Sequence, residues 1–371
     1  MHKILILSDI NSAHTQKWVR GILSHGFEVC VFSLSEVKSN WFEDLSNFSY
    51  RSCAVTDNVA NKKSIFGKST YLNNRKTLKK YIEEIKPAIV HAHYATSYGL
   101  LGALSDFHPY ILSVWGSDVY DFPKKSIIHK KLFQFNLRKA DFILSTSKIM
   151  AKEISKYSRK DIMITPFGVD LDMFKKMSVT SLFDEKDIVI GTIKSFEQKY
   201  GIDLLIHTFH KLTLKHPDLP LKLLLVGDGT ERMNLENLVD ELKLRNRVLF
   251  TGKIPQNEVP KYQNMFDVYV ALSIDNSESF GVATIEAMAC EKPVVVSDVD
   301  GFSEVVVNNE TGIIVPRKNS EQAGLAIEKL LFDKEFYEKC AKQARLHVQK
   351  HYEWKNNLQE VIDLYNKIIK K

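Results

Sequence analysis

Cysteine is scarce in this chain, long apolar runs are missing, and no segment is biased toward a few residue types. The four cysteines among 371 residues, Cys30, Cys53, Cys290 and Cys340, are scattered and form no CxxC pair or Cys/His cluster. That excludes a disulfide framework and a zinc site as organising features, and it fits a reducing cytoplasm. The apolar start at Ile4–Leu7 is broken by Ser8-Asp9, too early for a signal peptide, and no run approaches the roughly 20 residues that span a bilayer. Any membrane contact is therefore expected to be peripheral. No DxD stands in a suitable loop either: Asp170-Leu171-Asp172 falls in a connecting segment, and carboxylate clusters of the kind that hold a divalent cation are otherwise missing.

What is present is ordinary globular composition, 44% hydrophobic and 26% charged, which excludes disorder. At typical domain sizes this length suits two domains, each able to bury a core. The net charge of +6 is unevenly divided, because residues 1–165 carry 24 Lys and Arg against 14 Asp and Glu, and residues 166–371 carry 27 against 31. Such asymmetry points the first half at an anionic partner, with solvated helix faces as the plainer explanation. Nucleic acid is not expected, since no recognised module or aromatic-basic motif appears.

Short runs rich in Ile, Val, Leu and Phe alternate with longer amphipathic stretches, the mark of βαβ units on a parallel sheet. In the first half KILILS, EVCVFS, AIVHAH, YILSVW, FILSTS and IMIT read as buried strands, with helices over 78–85 and 127–139. The pattern pauses at TPFGVDLDMF and resumes with IVIGTI, LKLLLVG, VLFTG, VYVALS, PVVVSD and GIIVP. We therefore expect a domain over 1–165, a linker over 166–187 and a second domain of the same architecture over 188–353. Helices are expected over 320–332, 335–351 and 354–370, the last with no strand to follow it and free to pack back on the first domain. In such sheets ligands bind beyond the carboxyl ends of the strands, so function belongs on those loops.

The most informative segment is NSESFGVATIEAMACEKPVVVSD, Asn276–Asp298, with Glu278 and Glu286 separated by seven residues. On one continuous helix the two carboxylates would point about 80° apart and lie roughly 12 Å apart along the axis. A loop through Ser279-Phe280-Gly281 and a helix from Val282 brings both near a helix entrance with free N–H groups. Gly281 permits a close backbone approach, and carboxylates accept hydrogen bonds from ribose or sugar hydroxyls. A second polar group follows IVIGTI in Lys194-Ser195-Phe196-Glu197-Gln198-Lys199-Tyr200-Gly201. Its two lysines can hold a diphosphate and stabilise charge developing on a leaving group. Alternatively they are two solvated lysines on a loop.

On these motifs the chain resembles the retaining, nucleotide-sugar-dependent glycosyltransferases of family four, most densely from Ile188 to Pro316. Further markers are PFGVDLDMF, VGDG at Val226–Gly229, GFSEVV with TGIIVP at Gly301–Pro316, and Trp354. The resemblance implies an α/β fold of the GT-B type, with two Rossmann-like parallel-sheet domains facing a cleft. It implies a nucleotide-sugar donor and a glycan or lipid-linked acceptor, with no metal cofactor, in bacterial surface polysaccharide synthesis in the cytoplasm or at the inner face of the plasma membrane. Under it Glu286 holds the nucleotide ribose, Glu278 contacts the transferred sugar, and the Phe280-Gly281-Val282 backbone approaches the sugar and diphosphate. Gly227 and Gly229 would lie near the donor, and the loop Thr251–Ile254 near the base, with Lys253 and Ile254 beside the ring. A nucleotide-sugar epimerase on the same fold and a non-catalytic sugar-nucleotide-binding protein are the alternatives.

The chain also departs from the family. The usual Arg and Lys five apart, the Lys directly before Gly, are here Lys194 and Lys199, both shifted by one with Tyr200 inserted. A lysine cannot offer the bidentate fork of an arginine. Trp115 stands where relatives often carry a histidine, so the polar contact would pass to His93 or Asp118, or Trp115 would stack on an acceptor ring. His91 and His93 point to the same side of their strand, each suited either to the cleft or to the core. The first loop lacks the family's glycines, leaving Ser12 and His14 to aim at the cleft or only to cap a helix.

Overall fold

Two runs of parallel strands, each interleaved with helices, make up the computed structural model, which describes residues 1–55, 65–276 and 278–370, with side chains omitted at 55 and 65–73. The first run comprises β1 (Lys3–Leu7), β2 (Glu28–Ser35), β3 (Phe48–Val55), β4 (Ile89–His93), β5 (Tyr110–Val114), β6 (Phe142–Ser145) and β7 (Ile162–Ile164). They form one sheet in the order β3-β2-β1-β4-β5-β6-β7, and every pairing is parallel. The second comprises β8 (Ile188–Ile193), β9 (Leu221–Val226), β10 (Val248–Gly252), β11 (Val268–Ala271), β12 (Val294–Ser297) and β13 (Ile313–Val315), ordered β10-β9-β8-β11-β12-β13, again parallel. This is the Rossmann-like architecture expected twice over. Central strands such as β1, β4 and β9 are buried along nearly their whole length because helices cover both sides of a parallel sheet.

One strand escaped the sequence pattern. β3, FSYRSCAV, lies at the sheet edge beside β2 and is only partly buried, so its composition lacks a continuous apolar run. The helices follow their amphipathic spacing: Ile202–Lys215 buries Ile202, Leu205, Ile206, Phe209 and Leu212 on one face. Side chains of Asn319 and Asp333 accept hydrogen bonds from the amides of Gln322 and Phe336, both at 2.9 Å, and so start the helices Ser320–Phe332 and Lys334–His351.

The chain divides into two compact units, one of residues 1–167 and 356–371 and one of residues 168–355. The segment after Phe167 is bound into the second unit rather than hanging as a tether. Val169 bridges to Glu353, the Val169 amide donates to the Tyr352 carbonyl at 2.7 Å, and Arg345 donates to the Phe174 carbonyl at 2.6 Å. The final helix, Trp354–Ile369, belongs mostly to the first unit, where the buried Tyr365 hydroxyl meets His91 Nδ1 at 2.6 Å.

Candidate donor site

In the second unit the strand order reverses between β8 and β11, and that switch point is where an open α/β sheet leaves a crevice for ligands. Lys194 follows the end of β8, and Glu278 lies on the segment after β11. The two meet as an ion pair, with side chains only 16% and 9% exposed. Glu278 Oε1 also accepts from the Gly281 amide at 3.2 Å, and Ser273 Oγ donates to its other oxygen at 3.5 Å. One carboxylate thus engages both the cation and a helix-entrance N–H, the two kinds of donor that a phosphate would want. Tyr200 is packed between cations: Lys194 Nζ lies 4.4 Å and Lys199 Nζ 5.1 Å from its ring centre.

Gly281 is the N-cap of helix Val282–Ala289 with φ +78°, and a Cβ there would come within 2.8 Å of the Phe302 ring. It lets the loop bearing Glu278 turn directly into the helix bearing Glu286, as the sequence suggested. Glu286 is buried, and Gln256 Nε2 donates to it at 3.4 Å from the loop after β10. Phe280 is core, its ring against Tyr352, so only its backbone can face a ligand. Val282 is partly buried at the first helical position. Gly227 and Gly229 are required by the chain's own packing: a Cβ at Gly227 would lie 1.9 Å from the Lys194 carbonyl, and one at Gly229 would lie 2.3 Å from that of Phe196. They let the segment carrying the lysines cross the turn after β9. Lys253 is exposed and Ile254 half-buried on the neighbouring loop. The loop start at Asn276 is held by Arg317 and by Asp300.

The first unit repeats the arrangement, with β1 and β4 flanking its switch point. His14 comes from the helix after β1 and His93 ends β4. His93 is 1% exposed, neither ring nitrogen has a partner, and its ring lies 4.7 Å from Trp115. Burial holds its pKa well below the ordinary value, helped by His91 and His14. His14 stacks on Phe167 at 4.3 Å and meets Trp115 edge-on, and burial, with Lys17 nearby, lowers its pKa to about 4. His91 is a satisfied core residue between Tyr365 and Ser113. Ser12 occupies the N-cap position of helix Ala13–Ser24, but its side chain makes no capping bond. Asp118 is wholly buried and accepts from the amides of Ala95 (2.7 Å), Gly116 (2.7 Å) and Trp115 (3.2 Å). Its carboxylate braces the loop that presents Trp115, which is a positioning role and not the substrate contact considered for it.

Two family models cover most of the chain: glycosyl transferases group 1 matches residues 173–347, and glycosyl transferase 4-like matches residues 3–147. An uncharacterized glycosyltransferase of Methanocaldococcus jannaschii is 26% identical over 85% of each chain. The chain belongs to the family-four-like, group 1 glycosyltransferases. Solved structures share its GT-B fold. Sucrose-phosphate synthase from Thermosynechococcus elongatus superposes with a TM-score of 0.82 at 20% identity over 99% of both chains. The Anabaena protein HepE in complex with UDP and glucose gives 0.78 at 16% identity, over 99% of this chain and 100% of that one.

In this glycosyltransferase Lys194, Glu278 and the Gly281 amide meet beyond β8 and β11, and Glu286 meets Gln256 from the loop after β10. Sequence reasoning missed Gln256, a single amide in a polar loop, and Ser273, an ordinary residue after a strand. Only the strand order places them beside Glu286 and Glu278. Among the described residues no group of three or more His, Cys, Asp and Glu side chains is placed to hold a metal ion. No helix among them is long and apolar enough to cross a membrane.

Proposed function

We propose that this glycosyltransferase moves a sugar from a nucleoside diphosphate sugar onto a glycan or lipid-linked acceptor, with retention at the anomeric carbon and without a divalent cation. The role assigned is in bacterial surface polysaccharide synthesis. The observation that carries the donor is the contact of Lys194 and of the Gly281 amide with one carboxylate at the switch point. A diphosphate fits the same two donors, and the UDP held by the Anabaena fold neighbour is of that class. Glu286, steadied by Gln256, is suited to accept from the ribose hydroxyls.

In the reaction the bond between the anomeric carbon and the diphosphate oxygen breaks, and the electron pair leaves with the diphosphate. Lys194 and Lys199 offset that charge, the part a metal ion plays elsewhere. The acceptor oxygen bonds to the same face, and its proton passes to the departing phosphate oxygen, so no covalent enzyme intermediate is needed. Trp115, His14 and Phe167 form an aromatic surface suited to an acceptor ring. The Lys and Arg excess of the first domain suits an anionic membrane carrying a lipid-linked acceptor.

The carboxylates separate the roles. Glu286→Ala should mainly weaken donor binding, and Glu278→Ala should mainly lower turnover. Wild-type affinity and rate in both variants would remove the assignment.

A further inference from the structure

Among the exposed large apolar residues, two are neighbours in the chain. Ile127 and Ile128 are adjacent, and they are 74% and 70% exposed. They open helix Ile127–Lys139, whose start is set by Ser126, the side chain of which accepts from the His129 amide. Around them the chain reads Lys124-Lys125-Ser126-Ile127-Ile128-His129-Lys130-Lys131, and all four lysines are exposed. Lys130 and Lys131 lie three residues beyond the isoleucines, so each shares a side of the helix with one of them. The turn beneath is anchored: Pro123 is buried, and the Phe122 ring meets His129 at 4.9 Å. Two branched apolar side chains are therefore exposed within a stretch of four exposed lysines.

We propose that this turn docks the protein on an anionic lipid bilayer, the isoleucines entering the boundary between headgroups and acyl chains while the lysines meet lipid phosphates. The proposal rests on the membrane part of the function proposed above and names the surface that performs it. Charge complementarity selects the occupant. Four exposed lysines in eight residues would repel a second copy of the same patch, whereas an anionic leaflet attracts them. The isoleucines add what the lysines cannot, an attraction that salt does not screen.

The test compares flotation of the full chain with phosphatidylglycerol-containing and with pure phosphatidylcholine vesicles across salt concentrations. Wild type should bind the anionic vesicles and release partly as salt rises. Ile127→Ser with Ile128→Ser should lower binding at 0.1 M salt by about tenfold, leaving the melting temperature and donor hydrolysis in solution unchanged. Substituting glutamine for Lys124, Lys125, Lys130 and Lys131 should remove the preference for anionic lipid. Ile128→Trp should shift its emission to the blue on anionic vesicles only. If wild type binds and the serine variant binds equally, this turn is not the docking surface and the membrane reading stands. If wild type ignores anionic vesicles at low salt, both fall. Sedimentation showing a wild-type dimer that the serine substitutions dissociate would assign the patch to self-association and overturn the proposal.

Discussion

Replacing Glu278 by glutamine should tighten the binding of UDP while slowing transfer. The Glu278 carboxylate engages the Lys194 ammonium and the Gly281 amide. A diphosphate taking those donors must lie close to a negative charge and must compete with it. Two unit charges about 6 Å apart interact by roughly 3 kcal/mol at an effective dielectric of about 20. Partial exposure of both side chains screens some of that, leaving about 1.4 kcal/mol, or a tenfold gain in affinity. Glutamine keeps the volume and an oxygen that can still accept from Gly281. Titration calorimetry with UDP reads the affinity, and a thermal melt confirms that the variant is folded. Turnover should fall, because the contact proposed between the Glu278 carboxylate and the transferred sugar is weakened. Weaker or unchanged UDP binding by a folded Glu278→Gln protein would refute the idea that Glu278 stands where it opposes the diphosphate.

Acid should destabilise the first unit through its buried histidines. His14, His91 and His93 have folded pKa values below the unfolded value near 6.5, chiefly from burial, with His14 at about 4 and His91 at about 3. Their neutral forms contribute full stability above the unfolded pKa, and that contribution is lost as pH falls below it. The loss is about 2 kcal/mol at pH 5 for each of His14 and His91. Urea unfolding at pH 7 and pH 5 measures it, and His14→Phe should reduce the slope; an unchanged slope would remove His14 from the account. Gly227→Ala should cost at least about 3 kcal/mol, since its Cβ would lie 1.9 Å from the Lys194 carbonyl at φ +140°. A melting temperature within a degree or two of wild type would show that this crossing can relax.

The two parallel sheets were legible because strands buried on both faces leave nearly continuous apolar runs, as KILIL and LKLLLV do. β3 was not, because an edge strand keeps polar positions. Lys194 and Glu278 could each be named from their segments. Their ion pair depends on β8 lying next to β11, 80 residues apart in the chain, and no local pattern states that adjacency. Asp118 misled for a related reason: an acid on a strand-end loop looks reactive until the amides of Ala95, Trp115 and Gly116 are seen to consume it. The glycines at 227 and 229, which the resemblance puts near the donor, also meet a steric demand that no local pattern states, the crossing segment at Lys194 and Phe196.

The central claim is transfer from a nucleoside diphosphate sugar by Glu278, Glu286 and the two lysines, and slow donor hydrolysis tests it without knowledge of the acceptor. The protein is incubated with a panel of α-linked nucleoside diphosphate sugars in EDTA, and the released sugar is followed by proton NMR. The account predicts that at least one donor is cleaved, that the α anomer appears first, and that Lys194→Ala with Lys199→Ala abolishes the release. An initial β anomer, an epimerised donor in place of free sugar, or activity that EDTA removes and Mg²⁺ restores would contradict it.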